Sequence, residues 1–88
     1  ILEIDIYDLN QIIHYKLNDH ILTQECYKKL IKLNAYNNKA IKNIQHMTNL
    51  KELNCYGDNC GISDDNIKNL DLIKLNASRN PKITIKIN

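Results

Sequence analysis

Eighty-eight residues make one small domain, and a chain of this size buries only about two thirds of its unfolded surface. An apolar share of 43% and a charged share of 25% are those of an ordinary folded domain and exclude a disordered tail, and no apolar run nears the ~20 residues that cross a bilayer. The formal charge is only +2, and the lysines are scattered along the chain, many of them singly, as at Lys16, Lys32, Lys39, Lys51, Lys68 and Lys86; without a concentrated basic face, neither a nucleic-acid nor a membrane partner is expected.

Taken in chain order, the first segment carries a faint apolar pattern. Leu9, Ile12 and His14 fit the slots of a short strand, with Asn18 and Ile21 following. A second register places Ile1, Ile4 and Ile6 in the strand, with a helix near residues 19–30. The first is preferred because its 21-residue step to the next copy matches the steps downstream. Residues 22–27 then read as a segment that returns the chain over the core.

From Leu30 the pattern is sharp. Leu30-Ile-Lys-Leu33-Asn34-Ala35 returns as Leu50-Lys-Glu-Leu53-Asn54-Cys55 and again as Leu72-Ile-Lys-Leu75-Asn76-Ala77, in steps of 20 and 22 residues. The alternation at Leu33 and Ala35, Leu53 and Cys55, Leu75 and Ala77 predicts short strands with one face inward. An asparagine follows each, with an isoleucine three residues on: Asn38 and Ile41, Asn59 and Ile62, Asn80 and Ile83. Ile41, Ile44 and Met47 are spaced for 3₁₀ or helical turns. Ile62, Ile67 and Leu70 suit a short helix that Ser63 would cap, with Asp64 and Asp65 in its first turn. Gly57, Gly61 and Pro81 mark the turns after the strands.

These residues resemble the leucine-rich repeat family, whose L-x-x-L-x-L-x-x-N/C-x-L pattern recurs over about 20–29 residues. The match is strong over residues 30–83 and weak before Leu30. Two departures repeat in register: Ala35, Cys55 and Ala77 replace the third leucine, and the isoleucine comes one place late. The resemblance implies an α/β solenoid, with short parallel strands on a concave face and 3₁₀ or helical return segments on a convex one. It implies a single domain over residues 1–88, with about four repeats starting near residues 9, 30, 50 and 72, as part of a longer array. It further implies a ladder of buried asparagines, Asn18, Asn38, Asn59 and Asn80, satisfying backbone groups that the turns leave unpaired. The Leu-Asn-Ala strands, the Asn-Pro-Lys-Ile-Thr turn and a bias to residues with AT-rich codons are similar to repeat proteins of giant DNA viruses of amoebae or of AT-rich protists. Three cysteines, Cys26, Cys55 and Cys60, an odd count without a visible secretory signal, point to free thiols in a reducing, intracellular setting, the host cytoplasm if the source is viral.

Little in the chain suggests catalysis. His14, His20 and His46 lack metal-binding spacing with the cysteines, and Cys55 fills a slot also held by alanine, so no metal and no cofactor are expected. Cys26 with His20 is a weak local nucleophile pair, and Gly57 and Gly61 match no phosphate-binding loop. The outward strand face remains. Its last column is Tyr15, Tyr36, Tyr56 and Ser78; beside it run Asn34, Asn54 and Asn76; beyond those lie Lys32, Glu52 and Lys74. Tyrosine offers a large contact area with a polar tip at low entropic cost. The expectation is a non-enzymatic module that binds a protein partner on this face, through a neutral strip whose contacts depend little on salt. Two alternatives are a structural component that self-associates through open solenoid ends, and the substrate-recognition part of a larger enzyme such as a ubiquitin ligase.

Overall fold

A computed structural model of the chain describes residues 18–23 and 29–85. Tyr15, Cys26 and the strand of the first copy, in either register, lie outside them. The elements in order are a one-turn helix α1 (Asp19–Leu22), strand β1 (Lys32–Asn34), strand β2 (Glu52–Asn54), a one-turn helix α2 (Asp64–Ile67) and strand β3 (Lys74–Asn76). The strands form one open parallel sheet in the order β1-β2-β3. Lys32, Glu52 and Lys74 stand in register, as do Leu33, Leu53 and Leu75, and Asn34, Asn54 and Asn76. The three sequence copies therefore lie side by side at equivalent positions.

Alternation places Leu33, Ala35, Leu53 and Cys55 inward, and each is buried. The return segments cover them from the other side. Across residues 41–50 the chain forms turns rather than a helix: Met47 N–H donates to Ile44 O, and Leu50 N–H to Met47 O, at 3.0 Å each. This three-residue period turns Ile41, Ile44, Met47 and Leu50 to one side, and all four are fully buried. In the next return segment Ser63 opens α2 with extended backbone, while Asn66 Oδ1 accepts from Ser63 N–H at 2.8 Å and from its Oγ at 3.0 Å. Ile67 from this turn reaches the core, and Leu70 packs half-buried against it.

Two carboxylates fasten one return segment to the next. Asp19 Oδ1 accepts the N–H groups of Lys42 and Asn43 at 2.7 and 2.9 Å, and its Oδ2 accepts Asn43 Nδ2 at 2.9 Å. Asp64 repeats the arrangement: Oδ1 accepts from Thr84 N–H at 2.8 Å and Ile85 N–H at 3.1 Å, and Oδ2 from the Thr84 hydroxyl. Amide donors in turns need acceptors, and a carboxylate accepts several at once.

The turns after the strands share one geometry. Asn37, Gly57 and Arg79 each lie four residues past the inward leucine, and each has positive φ, at 53°, 117° and 62°. Asparagine and glycine tolerate this region; arginine pays a steric cost there. At Gly57 a Cβ would fall 2.1 Å from Asn37 Oδ1, the same oxygen that accepts Asn59 N–H at 3.2 Å.

The asparagine ladder requires one correction. Asn38 and Asn80 are buried, at 6% and 4% exposure. Asn80 Nδ2 donates to Cys55 O at 2.9 Å and Ile62 O at 3.1 Å, and its Oδ1 accepts Lys82 N–H at 3.0 Å. Asn38 Oδ1 accepts Ala40 N–H at 2.8 Å in the same manner. Asn59, by contrast, is exposed. Cys60 occupies the interior place, fully buried, with its thiol donating to Ala35 O at 3.4 Å. The bonds from Cys60 to Ala35 and from Asn80 to Cys55 span the same sequence separation, 25 residues. The physical cause is a longer turn: Cys60 lies five positions past Cys55, whereas Asn38 and Asn80 lie three positions past Ala35 and Ala77. Asn18 is half-buried, and its carbonyl accepts Leu22 N–H at 3.2 Å.

Candidate functional site

Residues that alternate with the buried leucines emerge on the open face of the sheet. A shallow groove of about 300 Å³ runs over it, lined by the three strands from Lys32–Asn34 through Glu52–Asn54 to Lys74–Asn76. It is too open to enclose a small molecule and fits contact with a larger surface.

Three columns cross this face. In the outer one, the rings of Tyr36 and Tyr56 stack with centroids 5.0 Å apart and planes within 3° of parallel. Stacked ring pairs add about 0.5–1.5 kcal/mol beyond their buried area. Tyr36 is 37% exposed, Tyr56 is half-buried, and Ser78 continues the column exposed. Backbone bonds fix the column, since Asn37 N–H donates to Tyr56 O at 2.8 Å and Gly57 N–H to Ser78 O at 2.9 Å.

In the middle column Asn34, Asn54 and Asn76 all do the same local work. Their Oδ1 atoms accept the N–H of Tyr36, Tyr56 and Ser78 at 3.0, 3.0 and 3.1 Å. An asparagine accepting from two residues on is an Asx turn, which bends the chain away from the strand direction. These asparagines therefore set the backbone that carries the tyrosines. The third column alternates Lys32, Glu52 and Lys74 in register. Glu52 is half-buried, and Lys74, on the outermost of the described strands, is exposed.

Below the face lie two free, buried thiols, Cys55 and Cys60. Burial, with the neighbouring Cys60 adding to it, pushes the Cys55 thiol up to about 12, and burial also pushes the Cys60 thiol up. Thiolate is the nucleophilic form, so both are poor nucleophiles near neutral pH. Among the described residues no three His, Cys, Asp or Glu side chains gather to hold a metal ion, and no helix is long and apolar enough to cross a membrane.

The structure thus brings Tyr36, Tyr56, Asn34, Asn54, Asn76, Lys32, Glu52 and Lys74 onto one face. Sequence reasoning missed the Asx turns, the two aspartate fastenings and the place of Cys60. The last was legible, since Cys60-Gly61-Ile62 fits the N/C-x-L end of the repeat pattern better than Asn59 does. In comparisons with known proteins, no family model, no curated protein and no solved structure matches this chain.

Proposed function

We propose that this chain is a leucine-rich repeat solenoid whose concave sheet holds a protein partner. The observation that carries the binding reading is the ordered Tyr36–Tyr56 stack beside three asparagine side chains, held on a parallel sheet. Ordering two aromatic rings before contact lowers the entropic cost of binding. The solenoid reading rests on consecutive parallel strands in one register, a core shared by all three copies, and equivalent cross-copy bonds from Cys60 and Asn80. On this reading the module works inside cells and catalyses nothing.

A double substitution, Tyr36→Ala with Tyr56→Ala, tests the proposal. It is expected to leave the fold intact and to weaken partner binding by about 2 kcal/mol or more. The measurement compares capture by the parent chain, the double variant and a variant on the opposite side, Lys42→Ala. Full binding by a folded double variant would move the site elsewhere.

A second reading, self-association, has one observation in its favour. β3 ends the described sheet, its central Leu75 is only half-buried, and Ile73 beside it is 63% exposed. An uncovered sheet edge is a template for another strand. Light scattering of the isolated chain separates the two readings, because self-association predicts a mass that grows with concentration and falls with Ile73→Lys.

A further inference from the structure

Resting on that reading of the sheet face, we propose that its protein partner presents an aromatic side chain that stacks on Tyr56 above Ser78, as the third ring of the column. The argument starts from the step between strands. Asn37 N–H donates to Tyr56 O at 2.8 Å, and Gly57 N–H to Ser78 O at 2.9 Å. Ser78 therefore stands to Tyr56 as Tyr56 stands to Tyr36. The centroids of Tyr36 and Tyr56 lie 5.0 Å apart, close to the spacing of about 4.8 Å between parallel strands, so the stack runs along the column from strand to strand. Tyr36 covers one face of Tyr56, and the other face looks toward Ser78. A serine at that place leaves a notch one ring wide beside a flat aromatic surface. Ser78 is exposed, and among the described residues Tyr56 has no second ring contact.

The notch selects a ring by its dimensions. Aromatic pairs settle with centroids about 4.5–7 Å apart, and an offset-parallel neighbour uses the ring face that an aliphatic side chain would leave unmatched. The rim is fixed as well. Asn76 Oδ1 accepts Ser78 N–H at 3.1 Å, which leaves the Asn76 NH₂ group to donate to a backbone carbonyl of the partner. A base of single-stranded nucleic acid is also flat, but its phosphates need a basic track, and the groove beside the column has the Glu52 carboxylate at its middle. A protein ring fits this face better.

Selection of phage-displayed random peptides against the immobilised chain tests this. The peptides expected to emerge share one Phe, Tyr or Trp. The chain has five tyrosines and no tryptophan, so a selected peptide's tryptophan can be excited alone, and its emission should move to shorter wavelength on binding. Ser78→Tyr is the sharp variant, because it fills the notch with the chain's own ring and keeps the backbone N–H that closes the Asx turn. It should weaken the selected peptides at least about tenfold and abolish the emission shift. Ser78→Ala leaves the notch open and should bind within about twofold of the parent. Thermal unfolding checks each fold; should Ser78→Tyr not fold, Tyr56→Leu, which keeps apolar bulk but removes the flat ring, has the same expected direction. Selected peptides that share no aromatic residue, or that bind Ser78→Tyr as well as the parent, overturn the proposal but leave the face as a binding surface. So does a larger loss with Lys74→Glu than with Ser78→Tyr, which would make charge the determinant. Single-stranded RNA that binds more tightly than the best peptide has the same consequence. So has a parent chain whose mass grows with concentration while that of Ser78→Tyr does not, since the ring would then come from a second copy. Peptides indifferent to Tyr36→Ala with Tyr56→Ala, or no selected peptides at all, overturn the reading of the face itself.

Discussion

Strands β2 and β3 carry the same Leu-x-x-Leu-Asn unit and pair directly, Leu53 against Leu75. Yet Leu53 is 3% exposed while Leu75 is only half-buried. The flanking residues follow suit: Glu52 and Asn54 are half-buried, Lys74 and Asn76 exposed. The same Leu-x-x-Leu-Asn unit thus meets different solvent, and the difference comes from neighbours. β2 has a paired strand on each side; β3 has one among the described residues. The worth of a leucine in this sheet is therefore set by how many strands flank it as much as by residue type.

The largest effect expected from this contrast is at the paired leucines. Leu53→Ala should cost about 2–5 kcal/mol, the range for deleting a fully buried leucine side chain. Leu75→Ala removes the same atoms from a half-covered site and should cost about 1 kcal/mol. Chemical denaturation of the two variants measures the gap, and equal midpoints would show that the two strands are equally enclosed.

A smaller contrast separates the two interior turn residues. The Asn80 side chain makes three hydrogen bonds inside the protein, and its loss leaves Cys55 O, Ile62 O and Lys82 N–H in want of partners. Asn80→Ala is therefore expected to cost about 1–3 kcal/mol. Cys60 makes one long thiol bond, to Ala35 O, and a thiol is a weak donor, so Cys60→Ala should cost about 1 kcal/mol. Asn59→Ala, on the surface, should stay within about 0.5 kcal/mol. A thermal shift for Asn59→Ala as large as that for Asn80→Ala would reverse the correction made to the ladder.

That correction shows where the sequence is a good guide and where it is not. The strands and their inward residues were legible because alternation has one physical meaning, a pleated chain with one dry face. The outward columns followed from the same period. Asn59 keeps the three-residue step to Ile62, but the turn of that copy holds two more residues before its buried position, so the rung falls on Cys60 instead. The tyrosines were visible as a column, but their stacking depends on the Asx turns of Asn34 and Asn54, which fix the backbone beneath them. Asp19 and Asp64 gave no usable signal. Their partners lie 20 to 24 residues downstream, and only the stacking of one copy on the next brings these together.

The smallest predicted effect concerns the acid limb of stability, and it contrasts the return side with the sheet side. Hydrogen bonds from the Thr84 hydroxyl and backbone, and from Ile85 N–H, hold the Asp64 carboxyl below the ordinary carboxylate value of 3.8. A carboxylate with a depressed folded value favours the folded state fully above its unfolded value. That contribution fades as pH falls through the folded value, because the protonated acid loses its hold on the three donors. The expected result is a loss of stability beginning near pH 3.8 and completing below it. Asp64 is only half-buried, so the effect should be modest and weakened by salt. Asp64→Asn keeps one acceptor oxygen and removes the titration. Thermal midpoints measured across the acid range should therefore fall less steeply for this variant than for the parent. The Lys74→Glu change on the sheet face adds a carboxylate without amide donors and should leave the slope near pH 3.8 almost as it was. Parallel acid limbs for the parent and Asp64→Asn would mean that the Asp64 carboxylate bonds to Thr84 and Ile85 do not persist in solution, and that the last two return segments are joined by apolar packing and by other bonds, such as Asp64 N–H to Lys82 O at 3.1 Å.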